Sequence, residues 1–355
     1  PTGPRVRVPR VEVTGRVDSL GMQDAAFGLP DQIDQSMQES REIGGLPEME
    51  DIDQVLILGM GGSGIAGDIV EAIAAPRMAV PVIVSKGYEC PSFVDRRTLV
   101  MAVSFSGETE ETLHAASIAH ELDAQIVAVT CGGLLGELAE QWDSSLHLVD
   151  SSIPMPRCAV GAVSVPLLMV LQSIGLLSGI DSELSSCVET LRKRCDSIKN
   201  GLNAPLEVAQ AIGDGIPLIY GGGRIGAVAA ARLKNQVNEN AKTPAFFNAM
   251  PELCHNEIAG WGVAGDVTRH RISPLHLRHS FEHPRLSQRF DFNESIATSG
   301  QQEVETIQAQ GDTPLAQLFD LILFGDQMSL ELAALRGQDP GPIDVLTELK
   351  HLLAE

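Results

Sequence analysis

The 355-residue chain carries 47 acidic against 25 basic side chains, a formal net charge of −22, which repels nucleic acid and anionic lipid and argues against both as partners. Its 44% hydrophobic content fits two α/β domains, each with a core of its own, while no apolar run approaches the roughly 18 residues that a membrane span needs. With no apolar leader and no C-x-x-C pair among Cys90, Cys131, Cys158, Cys187, Cys195 and Cys254, neither a structural zinc site nor a disulfide framework is expected, and a reducing cytoplasm is the expected location.

The opening P-T-G-P-R-V-R-V-P-R reads as a loosely held extension and residues 31–49 as an acidic, helical lead-in, so that 1–45 forms an N-terminal extension and helix. Strands are expected at 55–58, 80–84, 99–104, 125–130 and 145–149 with helices between, the alternation of a doubly wound parallel sheet filling a first domain over 46–200. Residues 166–179 read as a buried helix, and 182–199 as a more polar one bridging to a second half. There P-L-I-Y-G-G-G-R-I-G overlays the earlier V-L-I-L-G-M-G-G-S-G without a gap, with Gly59, Gly61 and Gly64 mapping onto Gly221, Gly223 and Gly226. Two copies of one doubly wound α/β domain are therefore expected, the second spanning 201–355 with a C-terminal helix.

An apolar strand running into Gly59, Gly61, Gly62 and Gly64 and then a helix lets backbone N–H groups approach an anion at the positive helix end. The spacing also satisfies a dinucleotide fingerprint, but the strand that should end in an acidic residue ends in Ser85-Lys86, which disfavours a nicotinamide cofactor. The lysine-bearing loop of nucleoside-triphosphate sites is absent as well. A phosphorylated small molecule is the better ligand. In the second copy Arg224 replaces Gly62 and Ile225 replaces Ser63, so the first copy is expected to hold the phosphate and the second to supply scaffold and other site groups.

The segment V-S-F-S-G-E-T-E-E-T-L sets Ser104, Ser106 and Thr109 between a strand end and a helix start. It reads either as a hydroxyl cradle for a phosphate monoester or as a helix start capped by Ser106. Farther on, Arg269 to Arg289 is a basic, histidine-rich island. His276, His279 and His283 have helical spacing, but Pro274 and Pro284 bracket them, so a solvated arginine-rich face or a subunit contact is expected there rather than a metal site.

The two strand-end loops resemble the sugar isomerase (SIS) domain. M-P-R-C-A-V-G, N-E-N-A-K-T-P-A-F, P-E-L-C-H-N-E-I and D-P-G-P-I-D-V-L-T-E-L-K, in this order from Met155 to Lys350, narrow the resemblance to the bifunctional phosphoglucose/phosphomannose isomerases. It implies phosphate binding by Gly62, Ser63, Ser104, Ser106 and Thr109, and Arg157 beside the reacting carbons. Glu239 becomes the catalytic base, with His255 and Lys350 acting on ring opening. No cofactor and no metal are implied, and the substrates are hexose 6-phosphates. A homodimer with shared sites is implied, the histidine crossing from the partner. Two departures stand out: Glu108 replaces an asparagine usual in the S-x-S-G-N-T loop, where its charge opposes a phosphate unless it turns away, and Cys254 replaces another asparagine.

Local chemistry agrees with these roles. An enediol route needs a base such as a carboxylate, and Glu239 lies toward the C-terminal end of its helix, where the dipole raises a carboxylate pKa. A histidine such as His255 can pass a proton between the ring oxygen and the anomeric hydroxyl, Arg157 follows Pro154 and Pro156 in a rigid loop, and Lys350 flanks an apolar stripe of Leu346, Leu349 and Leu353. A catalytically silent phosphosugar-binding regulator is the alternative; it retains the hydroxyls but has no use for Glu239 or His255.

Overall fold

The computed structural model describes residues 17–261, 265–299 and 303–353, without the side chains of 265–267 and 350–351. The loosely held extension expected over the first ten residues lies outside the described residues.

Helices α1 (Met22–Phe27) and α2 (Leu29–Glu39) lead in, followed by β1 (Gln54–Leu58), α3 (Gly61–Ala74), β2 (Val82–Ser85), β3 (Thr98–Ser104), α4 (Glu110–Glu121), β4 (Gln125–Thr130), α5 (Gly133–Gln141) and β5 (Ser145–Leu148). Helices α6 (Val160–Ile174), α7 (Ile180–Lys199) and α8 (Ala204–Ile212) connect to β6 (Ile216–Gly222), α9 (Gly223–Asn240), β7 (Phe246–Met250), α10 (Gly265–Arg271), β8 (Ile272–Arg278), α11 (Pro284–Ser299), β9 (Glu305–Gln308), α12 (Pro314–Leu335) and α13 (Asp344–Leu353). The five strands expected in the first half form within two residues of their expected ends. Helix α6 starts earlier than expected, carries Pro166 inside it, and stops where Gly175 adopts φ 94°, a conformation that glycine takes at little cost.

Both sheets are wholly parallel, in the orders β2-β1-β3-β4-β5 and β7-β6-β8-β9. In each, the chain leaves the strand before a glycine-rich turn to one side and returns on the other. A crevice therefore opens between β1 and β3 and another between β6 and β8, where ligands of doubly wound sheets bind.

The central strands β1, β3 and β4 are apolar on both faces because helices cover both. Leu56 and Leu58 of β1 face a cluster with Ala115 and Ala119 of α4 and Leu135 of α5. Val55 and Ile57 join a larger cluster that runs through α3, α6, α7, α9 and α12 to Ile219 and Leu275 of the second sheet. The two halves thus do not have wholly separate cores, as length alone implied: their facing sides share one, with α3 packed on α9 and α12 buried between α7, α8 and α9. Among the described residues no helix is long and apolar enough to cross a membrane.

Candidate active site

The first crevice gathers the hydroxyls expected there. Gly61 takes φ 52° at the start of α3, a left-handed turn that a side chain resists, and the first N–H groups of the helix have no intrahelical acceptor. Ser63 is buried and its Oγ accepts from the Phe105 N–H at 3.3 Å, which ties the glycine turn to the loop after β3. Ser104 Oγ lies 2.8 Å from Thr109 Oγ1 and accepts from the Gly107 N–H. Ser106 is exposed and Thr109 partly so. The N-cap of α4 is Thr109, without a side-chain capping bond, and among the described residues Ser106 Oγ accepts only from the Glu108 N–H. Ser106 therefore does not cap the helix.

Glu108 turns away. Its Oε1 accepts from the Leu134 N–H in the first turn of α5 at 2.9 Å, where the helix dipole favours a carboxylate. Gly107, at φ 73°, makes room: a Cβ there would stand 1.9 Å from the Gly132 carbonyl oxygen.

Gly62 joins this cradle to the next group. A Cβ on it would lie 3.1 Å from the Pro156 carbonyl oxygen and 3.5 Å from the Arg157 Cα, so its lack of a side chain lets the Arg157 turn rest on the start of α3. Arg157 is 4% exposed. Its Nε donates to Asn240 Oδ1 (2.9 Å), its Nη2 donates to the Pro340 (2.5 Å) and Gly341 (2.7 Å) carbonyls, and its Nη1 faces Glu239 Oε2 at 3.7 Å.

Glu239 sits in the last turn of α9 with 30% of its side chain exposed. Burial pushes its pKa up, against the opposing pull of Arg157. The direction matches the expectation from the sequence, but desolvation rather than the helix dipole is the leading cause. Lys242, at φ 52°, donates to the Glu239 and Pro342 carbonyls rather than to the Glu239 carboxylate, and so closes the helix end.

His255 is not brought to these groups within the chain. It lies exposed in a short helical turn after β7. That turn is anchored by buried Leu253 and by Glu257, whose carboxylate accepts from Tyr220 Oη and Asn248 Nδ2, both at 2.6 Å. Cys254 packs against the same cluster. Lys350 belongs to α13, but its side chain lies outside the described residues. The apolar stripe beside it is exposed: Leu346, Leu349 and Leu353 are 44%, 48% and 66% accessible.

The basic island departs furthest from expectation. His276 is on strand β8, not a helix, between the buried Leu275 and Leu277 and two residues after Pro274, which a helix interior resists. It is buried against Phe290 and bonded to Asn293 Oδ1 at 2.8 Å, and burial lowers its pKa to about 4. His279 is buried too, its Nε2 donating to the Gly222 carbonyl at 2.8 Å. These two rings are core groups, not a solvated face. Among the described residues no group of three His, Cys, Asp or Glu is placed to hold a metal ion.

Behind Glu239 stands a buried polar network that no sequence motif marks. Asp326 of α12 takes both Arg232 Nε (3.0 Å) and Nη2 (2.6 Å) and also Gln236 Nε2 (2.8 Å). Arg232 Nη2 donates in addition to the Arg157 carbonyl, and Asn240 Nδ2 to Ser329 Oγ. The available sign was the acids themselves, Asp320, Asp326 and Glu331 inside the mostly apolar run 314–335, since buried charges come paired.

Comparison with known proteins places this geometry. Residues 48–170 match the SIS domain model, and residues 202–353 match the bacterial phospho-glucose isomerase C-terminal SIS domain. The bifunctional phosphoglucose/phosphomannose isomerase of Caldicellulosiruptor bescii is 35% identical over 94% of this chain and 99% of its own; that of Aquifex aeolicus is 32% identical over 84% and 90%. The structure of tagatose-6-phosphate ketose/aldose isomerase from Escherichia coli superposes with a TM-score of 0.68 over 91% of this chain and 95% of its own, at 14% identity, a likeness of fold. The chain belongs to the bifunctional phosphoglucose/phosphomannose isomerase family.

Proposed function

We propose that this protein interconverts glucose 6-phosphate and mannose 6-phosphate with fructose 6-phosphate through a cis-enediol. The observation that carries the reading is the half-buried Glu239 carboxylate, 3.7 Å from the Arg157 guanidinium, joined through Gly62 to a cradle of Ser63, Ser104, Ser106 and Thr109. The cradle anchors the phosphate through hydroxyls and helix-terminal N–H groups. Glu239 takes the proton from C2 of the aldose and returns it to C1 of the ketose, and its raised pKa suits a base that must give its proton back. Arg157 Nη1 faces the charge that develops on the enediolate oxygens. Rotation about the C2–C3 bond of the open sugar admits both epimers.

His255 and Lys350 act on ring opening in this reading, with His255 supplied by the partner subunit of a homodimer. Support comes from the exposure of His255 on a rigidly anchored turn and from the uncovered leucines of α13, an apolar face of the kind subunits bury. A division into a lead-in over 1–45 and SIS domains over 46–200 and 201–355 is part of the proposal. So is a cytoplasmic location, with which six free cysteines agree.

A coupled assay of the purified protein with fructose 6-phosphate, in EDTA, tests the function by reading glucose 6-phosphate and mannose 6-phosphate separately. Formation of both is expected, and no turnover alongside phosphosugar binding refutes it. Mixing Glu239→Gln with His255→Ala chains tests the shared site, because heterodimers should regain activity.

A further inference from the structure

The second crevice, between β6 and β8, is not filled. The first turn of α9 (Gly223 to Ile225) and the loop after β8 (His279 to His283) line a cavity of about 630 Å³, bordered by Ile73 of α3, by Pro76 just past its end and by Leu286 of α11. It is the structural counterpart of the phosphate crevice of the first sheet, since both lie at the point where the strand order reverses. Gly223, at φ 60°, repeats the left-handed turn of Gly61, and α9 repeats the helix start.

The groups around the cavity differ from the first crevice in one consistent direction. Arg77, Arg224, Arg285 and Arg289 line it in place of hydroxyls. Arg77 and Arg224 are paired with Glu183 and Glu71, and Glu282, also in the lining, is paired with Arg278. The guanidinium groups of Arg285 and Arg289 have no acidic or hydrogen-bonding partner among the described residues, in a chain of net charge −22. His279 packs into the wall beside them: it is 5% exposed, its Nε2 donates to the Gly222 carbonyl, and its Nδ1 is sealed from the cavity.

We propose that this cavity is a second ligand site, distinct from the isomerase crevice, for a phosphate monoester with a flat, weakly polar body. Two unpaired guanidiniums match the double charge of the monoester. Ile73, Ile225, Phe281 and Leu286 line the compartment for the body, and the volume lies within the range of small-molecule sites. A hydroxyl-rich sugar suits such walls poorly, so the ligand is not the substrate. Because α3 carries the substrate phosphate turn at its N-terminal end and lines this cavity with its C-terminal part, occupancy bears on the first crevice through one rigid helix.

Phenyl phosphate, which is no isomerase substrate, is the probe. Isothermal titration of the full chain should show binding that falls at least tenfold in Arg285→Ala/Arg289→Ala and persists in Ser106→Ala/Thr109→Ala. Arg285 is exposed and Arg289 half-buried, and neither guanidinium has a protein partner among the described residues, so an unchanged melting temperature separates lost binding from lost fold. Absence of binding to the parent chain, or binding abolished by the serine and threonine changes but indifferent to the arginines, overturns the proposal. Neither result depends on turnover, so the isomerase reading stands or falls separately.

Discussion

Replacing Arg157 by lysine keeps the charge and removes the shape, which isolates what the guanidinium does. The arginine makes three bonds to neutral acceptors, to Asn240 Oδ1 and to the Pro340 and Gly341 carbonyls, and each bond from a charged group contributes roughly 1.5–3 kcal/mol. A single ammonium cannot reach both the Asn240 side and the paired carbonyls. Losing one or two of these bonds predicts a destabilisation of about 2–4 kcal/mol, with no solvent discount because the side chain is almost fully buried. The segment released, 340–342, leads directly into α13, so kcat should fall more than KM rises. Urea denaturation read by circular dichroism gives the first quantity and steady-state kinetics with fructose 6-phosphate the second. A variant within about 0.5 kcal/mol of the parent, the scatter typical of surface substitutions, would refute the claim that Arg157 ties the C-terminal segment to the site.

Four further outcomes follow from the same geometry. Gly107→Ala should destabilise by more than about 2 kcal/mol, because it adds left-handed strain to a Cβ 1.9 Å from the Gly132 oxygen; a normal thermal melt would contradict this. Glu108→Asn should leave KM for the phosphosugar unchanged and lower stability by up to about 1 kcal/mol through the lost bond to Leu134. Asp326→Ala strands the buried Arg232 and should cost about 3–5 kcal/mol, measured by chemical denaturation. For Glu239, burial raises the folded pKa above 4.5, so ionisation weakens the fold. Below 4.5 both states are protonated and there is no penalty; the penalty grows as pH rises through the raised native value and is full above it. Glu239→Gln should therefore gain stability relative to the parent as pH rises through that window while losing turnover, and melting curves from pH 4 to pH 8 check the sign.

Much of the first sheet was legible because its strands are short apolar runs punctuated by glycine and hydroxyl turns, and such runs read the same in any context. The duplicated glycine turn was legible for the same reason. The histidine island was not: His276 and His279 look like surface groups until β8 is placed between β6 and β9 and Phe290 closes over it. Glu108 posed a question about charge repulsion that the chain alone left open, since its partner, the Leu134 N–H, belongs to a different helix start. The stripe beside Lys350 reads as a packed face by periodicity, yet Leu346 and Leu349 are exposed in the single chain, because periodicity records that a face is apolar and not what covers it.

Sequence by itself determined the parallel α/β class, the two glycine turns and the residue types of the candidate site, since these depend on local propensity, backbone sterics and motif order. Tertiary structure alone decided that Arg157 meets Glu239 at 3.7 Å, that Asp326 stands behind them, and that the second crevice is lined by two arginines unpaired among the described residues. Those facts depend on contacts between residues distant in sequence, Arg157 with Glu239 and Arg232 with Asp326, and burial and pairing, which set charge and pKa, exist only once such distant segments pack.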